Sequence, residues 1–381
     1  MRYVIDTNEV GACARSAMQE KLRPELIKVI LSCSVENPVC SALVRLRFVL
    51  WCCRTWGMSN TSKSPRMVAL AAMKVGQRSL PRYSHCFAPK KFTQAQLFTC
   101  LVLKQFFATD YRGITVYLHD MPGLCEVMQL TTIPHYTTLQ KASHRLLHFS
   151  CVRELLLASV KMNSRSCDTI EYAAADSSGF ESGRISPYFV RRRSRGQKTL
   201  KNPLYVTTCY TKFPKLAIIC DCKTHMILAA WPTRGPTPDV HQLMPLLNQL
   251  HSDFTLRRLL LDAGYDSHGN HLRLRNDRNI LSYIPPYLGR PTFKPASSEL
   301  RRLMQRHFAT DASRRRINFG QRWQVETVFS MIKRNLDHAV AARSYHAQNR
   351  EMLLLAITHN ITILLFIIIA ERFSTEHVRF N

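Results

Sequence analysis

The order of strand-like and helix-like periodicities after residue 165 constrains this chain more than any other feature. Residues 169–176, 205–210, 216–220 and 226–230 are short, β-prone runs separated by turn-forming residues, as successive antiparallel strands would be. Asp239 opens a helical pattern that extends to Leu250, and residues 256–261 form another strand-like run. A helix over 268–277 then precedes a strand over 280–284, which Pro285-Pro286 ends because proline cannot donate to a ladder. An amphipathic helix over 322–336 and an apolar helix follow. Antiparallel strands first, then strands alternating with helices, predict an α/β domain: a mixed sheet flanked by helices over 165–372.

The first half reads differently. Residues 1–75 carry no recognisable motif and broken periodicity, so they are left as an unassigned N-terminal extension. Met58, Met67 and Met73 offer alternative starts, and part of this stretch reads as upstream sequence outside the native protein. Residues 76–160 read as a helical domain. Thr93 is placed to cap a helix ending near Phe107, and Asp110 a second ending near His119. Pro122-Gly123 reads as a breaker, and Thr137 as the cap of a third helix over 138–149 carrying Lys141, His144, Arg145 and His148. Short helices with the last one basic fit a helix-turn-helix unit and an ordinary helical bundle equally well.

Charge narrows the partner. The chain has 53 Lys and Arg against 26 Asp and Glu, a formal net charge of +27. Such an excess opposes compaction by self-repulsion and calls for a polyanion, of which DNA is the commonest. The 13 cysteines are odd in number, scattered and without a Cys-x-x-Cys pair, so they read as reduced core residues of a cytosolic protein rather than disulfides or a zinc site. Residues 353–370 match a membrane span in length, but Thr358, His359, Asn360 and Thr362 lie in the middle. Polar groups there are costly in lipid, so a helix buried in the protein core is expected and no membrane partner.

Two aspartates fall where strand-like runs end: Asp176 in Ala-Ala-Ala-Asp-Ser-Ser-Gly and Asp262 in Leu-Leu-Leu-Asp-Ala-Gly-Tyr-Asp. Ligands of open α/β sheets collect at strand ends, and a carboxylate there is solvated, capping or metal-bound. Each alone reads as a cap or turn former. Asp266 reads as a local cap or a substitute ligand, and His241 and His268 as structural or DNA-contacting residues. Residues 319–333 read Phe-Gly-Gln-Arg-Trp-Gln-Val-Glu-Thr-Val-Phe-Ser-Met-Ile-Lys. Helical geometry puts Arg322, Glu326 and Lys333 close to one face, which suits either a surface ion-pair helix or one that offers Glu326 to a metal.

This segment is similar to the helix of bacterial insertion-sequence DDE transposases, whose hallmark is Tyr-x2-Arg-x3-Glu-x6-Lys. Arg322, Glu326 and Lys333 match in identity and spacing, while Phe319 replaces the tyrosine and removes its hydroxyl. The Asp176-Ser-Ser-Gly-Phe and Asp262-Ala-Gly-Tyr-Asp segments resemble that family's two aspartate motifs, and the likeness extends over roughly residues 92–361. The resemblance implies a ribonuclease H-like catalytic domain in which Asp176, Asp262 and Glu326 are catalytic and bind metal. It implies Mg²⁺ or Mn²⁺ as two ions about 3.5–4 Å apart, with water cutting the element end and the freed 3′-hydroxyl attacking target DNA. It also implies a homodimer on paired DNA ends and a nucleoid-associated, cytoplasmic location. Arg191, Arg192, Arg193, Arg195 and Lys198 after the first aspartate, with Arg322 and Lys333, are the expected DNA contacts; a second basic group runs from Arg290 to Arg316. The alternatives are a nuclease of the same fold without strand transfer, and an inactive DNA-binding remnant.

Overall fold

Capping residues set the helical half of the molecule. The computed structural model describes residues 63–163, 169–182, 212–286 and 298–376, with side chains described as far as residue 364. The larger of its two compact units is Thr61–Glu371. Helix α1 (Pro65–Ser79) starts at the Ser64 cap with proline in its first turn. Helix α2 (Gln94–Phe106) starts at a reciprocal capping box between Thr93 and Gln96, and α3 (Tyr111–Asp120) at Asp110, which accepts from the Arg112 and Gly113 amides.

Two helix boundaries differ from the sequence expectation. Pro122 does not break the chain but occupies the first turn of α4 (Pro122–Val127), where its missing N–H costs nothing. The basic helix expected over 138–149 is α5 (Tyr136–Leu146), which ends earlier, and a further helix, α6 (Phe149–Lys161), follows it. Their caps are His135 and His148, whose ring nitrogens accept from the Thr137 and Cys151 amides. A histidine nitrogen can do the work of the usual hydroxyl or carboxylate, which sequence rules based on Ser, Thr, Asp and Asn overlook. On α5, Arg145 donates to Gln94 and His144 meets Arg350, so with the His148 cap three of the four basic residues of this stretch are engaged within the protein.

The sheet follows in the expected order. Strands β1 (Thr169–Gly179), β3 (Phe213–Asp221), β4 (Ile227–Gly235), β5 (Thr255–Leu261) and β6 (Leu281–Tyr283) lie in the order β4-β3-β1-β5-β6. The β1–β3 and β3–β4 pairs are antiparallel, whereas β1–β5 and β5–β6 are parallel. A short parallel pair joins β2 (Glu181–Ser182) to β7 (Ala339–Val340). Between β4 and β5 come a 3-10 turn, Asp239–His241, and helix α7 (Leu243–Asn248), in place of one continuous helix to Leu250. Helix α8 (His268–Leu272) runs into a π turn, Arg273–Asp277, before β6. The strand-like run 205–210 lies outside the described residues.

Alternation along β1 divides the interior. Ala174 joins a core with α1, α2, α5, α11 (Trp323–Asn335) and α12 (Tyr345–Glu376). Ala173 and Ala175 join the opposite core with α7, β5 and Tyr265. The apolar C-terminal segment is the buried part of α12, where Met352 to Leu364 pack in these cores, and among the described residues no helix is long and apolar enough to cross a membrane.

Its polar residues are tied to the sheet. Asn360 accepts from the Ile227 amide at 2.7 Å and donates to the Ile227 carbonyl at 2.8 Å and to Ser159 at 3.0 Å, completing the ladder beside a β-bulge. Neighbouring His359 is buried and meets the His225 carbonyl at 3.1 Å, and burial pushes its pKa down to about 4.

Replacing Asn360 with Ala strands the Ile227 amide and carbonyl, at about 1–3 kcal/mol for each buried group left unsatisfied. Urea unfolding should therefore show a loss of at least about 2 kcal/mol. His359 must stay neutral to remain buried, whereas the unfolded chain takes up its proton near the usual 6.5. Its contribution is thus complete above pH 6.5 and is lost as pH falls towards 4, by up to about 3 kcal/mol. A His359→Gln variant is expected to show a flatter stability profile across that window.

Candidate functional site

Asp176 lies within β1 rather than at its end. Strand β3 keeps pairing with β1 as far as Gly179, whereas the parallel pairing to β5 stops at Ala175↔Leu261. The next residues along those two strands are Asp176 and Asp262, so the sheet opens on one side where the two aspartates stand next to each other. This is the crevice at the carboxyl end of adjacent parallel strands where open α/β sheets place ligands.

The local reading of each aspartate as a cap does not hold. Asp262 begins the 3-10 turn Ala263–Tyr265, but its side chain makes no capping bond and is exposed. Asp176 accepts from the Ser177 amide at 2.7 Å. Burial raises its pKa to about 6; the Ser177 amide and Arg322 act against the shift, and the negative charge of Asp262 and Asp239 adds to it. A crowded, half-buried carboxylate of this kind lacks counter-charge.

Arg322 supplies part of it. It closes a 3-10 turn, Phe319–Arg322, that leads into α11, and its guanidinium lies 3.9 Å from Asp176 and 2.7 Å from Glu326. Glu326 also meets the Trp323 indole N–H at 3.5 Å. The structure therefore brings Asp176 and Asp262 side by side and places Glu326 on the far side of Arg322. Among the described residues, no three His, Cys, Asp or Glu side chains stand together closely enough to hold an ion. The donors nonetheless fit a hard cation: they are carboxylate oxygens, and the Tyr265 hydroxyl is buried beside Ser177, Asp176, Asp239 and Asp262.

Packing decides where Glu326 sits. Val325, Val328, Phe329 and Ile332 bury one stripe of α11, each contributing roughly 1.5–3 kcal/mol. That outweighs the Arg322–Glu326 pair, since exposed helical pairs contribute about 0.3–0.5 kcal/mol. Lys333 is turned inward, donating to the Ser178 hydroxyl and the Gly179 carbonyl, both at 2.8 Å, and lying over the Phe180 ring. Burial lowers its pKa. This contact fastens α11 to β1 two residues beyond Asp176. Phe319 packs edge-on against Phe308 of α9 (Glu299–Phe308), so the ring keeps a packing role without the hydroxyl.

Asp266 is paired with a cation inside the protein. Its carboxylate is buried and takes both Nε and Nη2 of Arg301, at 3.2 and 2.6 Å. His268 meets Ser298, and His241 is exposed in the turn after β4. In the second basic group Arg302, Arg306 and Arg314 to Arg316 are exposed, whereas Arg191, Arg192, Arg193, Arg195 and Lys198 lie outside the described residues.

The residues that sequence reasoning missed are Ser177, Lys215, Asp239 and Tyr265. The sequence pattern makes Asp239 a helix start, and Lys215 falls just before the strand-like run 216–220. Pairwise register between distant strands was the only signal that could have joined them.

Residues 190–361 match the family model described as transposase DDE domain. No curated protein matches the chain. The solved structures that resemble it include the Mos1 mariner paired end complex with Mn, at 10% identity over 89% of this chain and 100% of that chain, with a TM-score of 0.19. Another is the Mos1 transposase paired-end complex with left transposon end, at 12% identity over 68% of this chain and 83% of that chain, with a TM-score of 0.18. The family match covers Asp262 and Glu326 and begins beyond Asp176.

Proposed function

We propose that the protein is a DNA transposase with a ribonuclease H-like catalytic domain, using Asp176, Asp262 and Glu326 as its catalytic carboxylates. The observation that carries this reading is the juxtaposition of Asp176 and Asp262 where β1 and β5 part, with α11 packed alongside and Glu326 in its first turn. The strand order β4-β3-β1-β5-β6, with the first three antiparallel and the rest parallel, supports the fold assignment.

Asp176, Asp262 and Glu326 would hold Mg²⁺ or Mn²⁺, as two ions, once Glu326 leaves Arg322. Such ions, when bound, make water or a 3′-hydroxyl a better nucleophile and offset charge on the phosphate. The chain's own groups do the rest. Arg322, released from the carboxylates, meets the phosphodiester, and Lys333, held by Ser178 and Gly179, keeps β1 and α11 in register. The exposed arginines of α9 and α10 (Asp311–Arg316) track the duplex backbone, joined by the 191–198 cluster. In the first step water attacks the phosphorus at the element end and the 3′-oxygen leaves as a hydroxyl. In the second, that hydroxyl attacks a target phosphodiester and displaces another 3′-oxygen, with the protein acting as a homodimer on paired ends.

The test is cleavage and strand transfer on an oligonucleotide carrying the DNA end that flanks the gene, with Mg²⁺ or Mn²⁺ added or chelated. Both steps are expected to need the ion. Asp176→Ala, Asp262→Ala and Glu326→Ala are each expected to cost about 4 kcal/mol of barrier, close to a thousandfold in rate, with unchanged circular dichroism. Hydrolysis without joining of a pre-cleaved 3′ end would reduce the assignment to a nuclease. Arg322→Ala should lower the slope of log affinity against log salt by about 1 for any DNA sequence.

A further inference from the structure

A fourth carboxylate borders the acidic centre, yet its bonds are directed at the protein. Asp239 Oδ1 accepts from the Ser177 hydroxyl and from the Lys215 ammonium, each at 2.6 Å. Lys215 also donates to the Thr237 carbonyl at 3.1 Å and keeps only 14% of its side chain exposed. An acid here adds repulsion to Asp176 and Asp262, and the Lys215 ammonium paired with it offsets part of that charge.

The geometry gives this ion pair a reach to both aspartate segments. On one side it grips Ser177, whose backbone N–H donates to Asp176 Oδ1 at 2.7 Å. Fixing the serine side chain therefore fixes the amide that orients the Asp176 carboxylate. On the other side Asp239 borders the turn after Asp262. A Cβ on Gly264 would lie 3.6 Å from Asp239 Oδ2, and the buried Tyr265 hydroxyl lies beside the carboxylate. Asn270 binds the same two turns independently, donating to the carbonyls of Val240 at 3.1 Å and Tyr265 at 3.0 Å.

We infer that Asp239, paired with Lys215, is a positioning residue that sets the separation and aim of Asp176 and Asp262. The inference rests on the proposed metal-dependent reading of that centre. It also works on the face of β1 opposite Lys333: Ser177 and Ser178 point to opposite sides of the strand, and each is held by its own partner.

The test uses the full chain without DNA and follows Mn²⁺ binding by the electron paramagnetic resonance signal of the free ion. The parent is expected to bind Mn²⁺ and Asp176→Ala to lose it. Asp239→Ala should weaken binding by roughly 10-fold or more, the scale seen when partners that orient metal ligands are removed. In Asp239→Asn the amide oxygen still accepts from Ser177 and Lys215, so binding should stay within about threefold of the parent. Ser177→Ala, a change too small to prevent folding, should also weaken binding, while fluorescence anisotropy on duplex DNA shows unchanged affinity.

Asp239→Ala or Ser177→Ala indistinguishable from a parent that binds Mn²⁺ would overturn the positioning role alone. An Asp239→Asn loss as deep as that of Asp239→Ala would overturn it too, because the carboxylate itself would then be a ligand. A parent that binds no Mn²⁺, or binds it equally well as Asp176→Ala, removes the metal-dependent reading and this inference with it.

Discussion

The double pairing of β1 is the constraint on which the rest of the site depends. One edge of the strand runs antiparallel to β3 for its whole second half, and the other runs parallel to β5 only as far as Ala175. Had both pairings ended together, Asp176 would sit on a loop and its carboxylate would turn to solvent. Because β3 continues, Asp176 is held in extended backbone while the sheet opens beside it, and the carboxylate is half-buried and short of counter-charge. The electrostatics of the centre follow from hydrogen-bond register.

A strand that carries such a residue needs support on both faces, since a carboxylate cluster repels itself. On one face Lys333 reaches from α11 to Ser178 and Gly179, and on the other Asp239 and Lys215 hold Ser177. Both lysines are spent inside the protein, although the chain as a whole is strongly basic. Arg322 plays a third part, standing between Asp176 and Glu326. A net charge of +27 thus conceals a division of labour. Cations close to the acids organise them, and Arg302, Arg306 and Arg314 to Arg316 on α9 and α10 remain exposed.

Much of the frame was legible because local chemistry and tertiary structure agree. Thr93 and Asp110 cap the helices they were expected to cap, and the apolar run around Asn360 is buried in the core. Disagreement arose where two local rules compete. Pro122 fits both a breaker and a helix start, and its position in the first turn resolves it. His135 and His148 cap helices with ring nitrogens, a use that composition does not advertise. Asp266 looked like a spare acid beside Asp262 until Arg301, thirty-five residues on, was found in contact with it.

The amino-acid sequence alone determined the alternation of strands and helices and the charge that calls for a polyanion, and it put forward Asp176, Asp262 and Glu326 as candidates. Those properties reside in side-chain chemistry and short-range periodicity, which the chain carries before it folds. Only the tertiary structure decided that Asp176 lies inside a strand, that Lys333 faces inward, and that Ser177, Lys215 and Asp239 form one unit. Strand register and helix packing join residues dozens to more than a hundred positions apart, and no local pattern encodes which of them will meet.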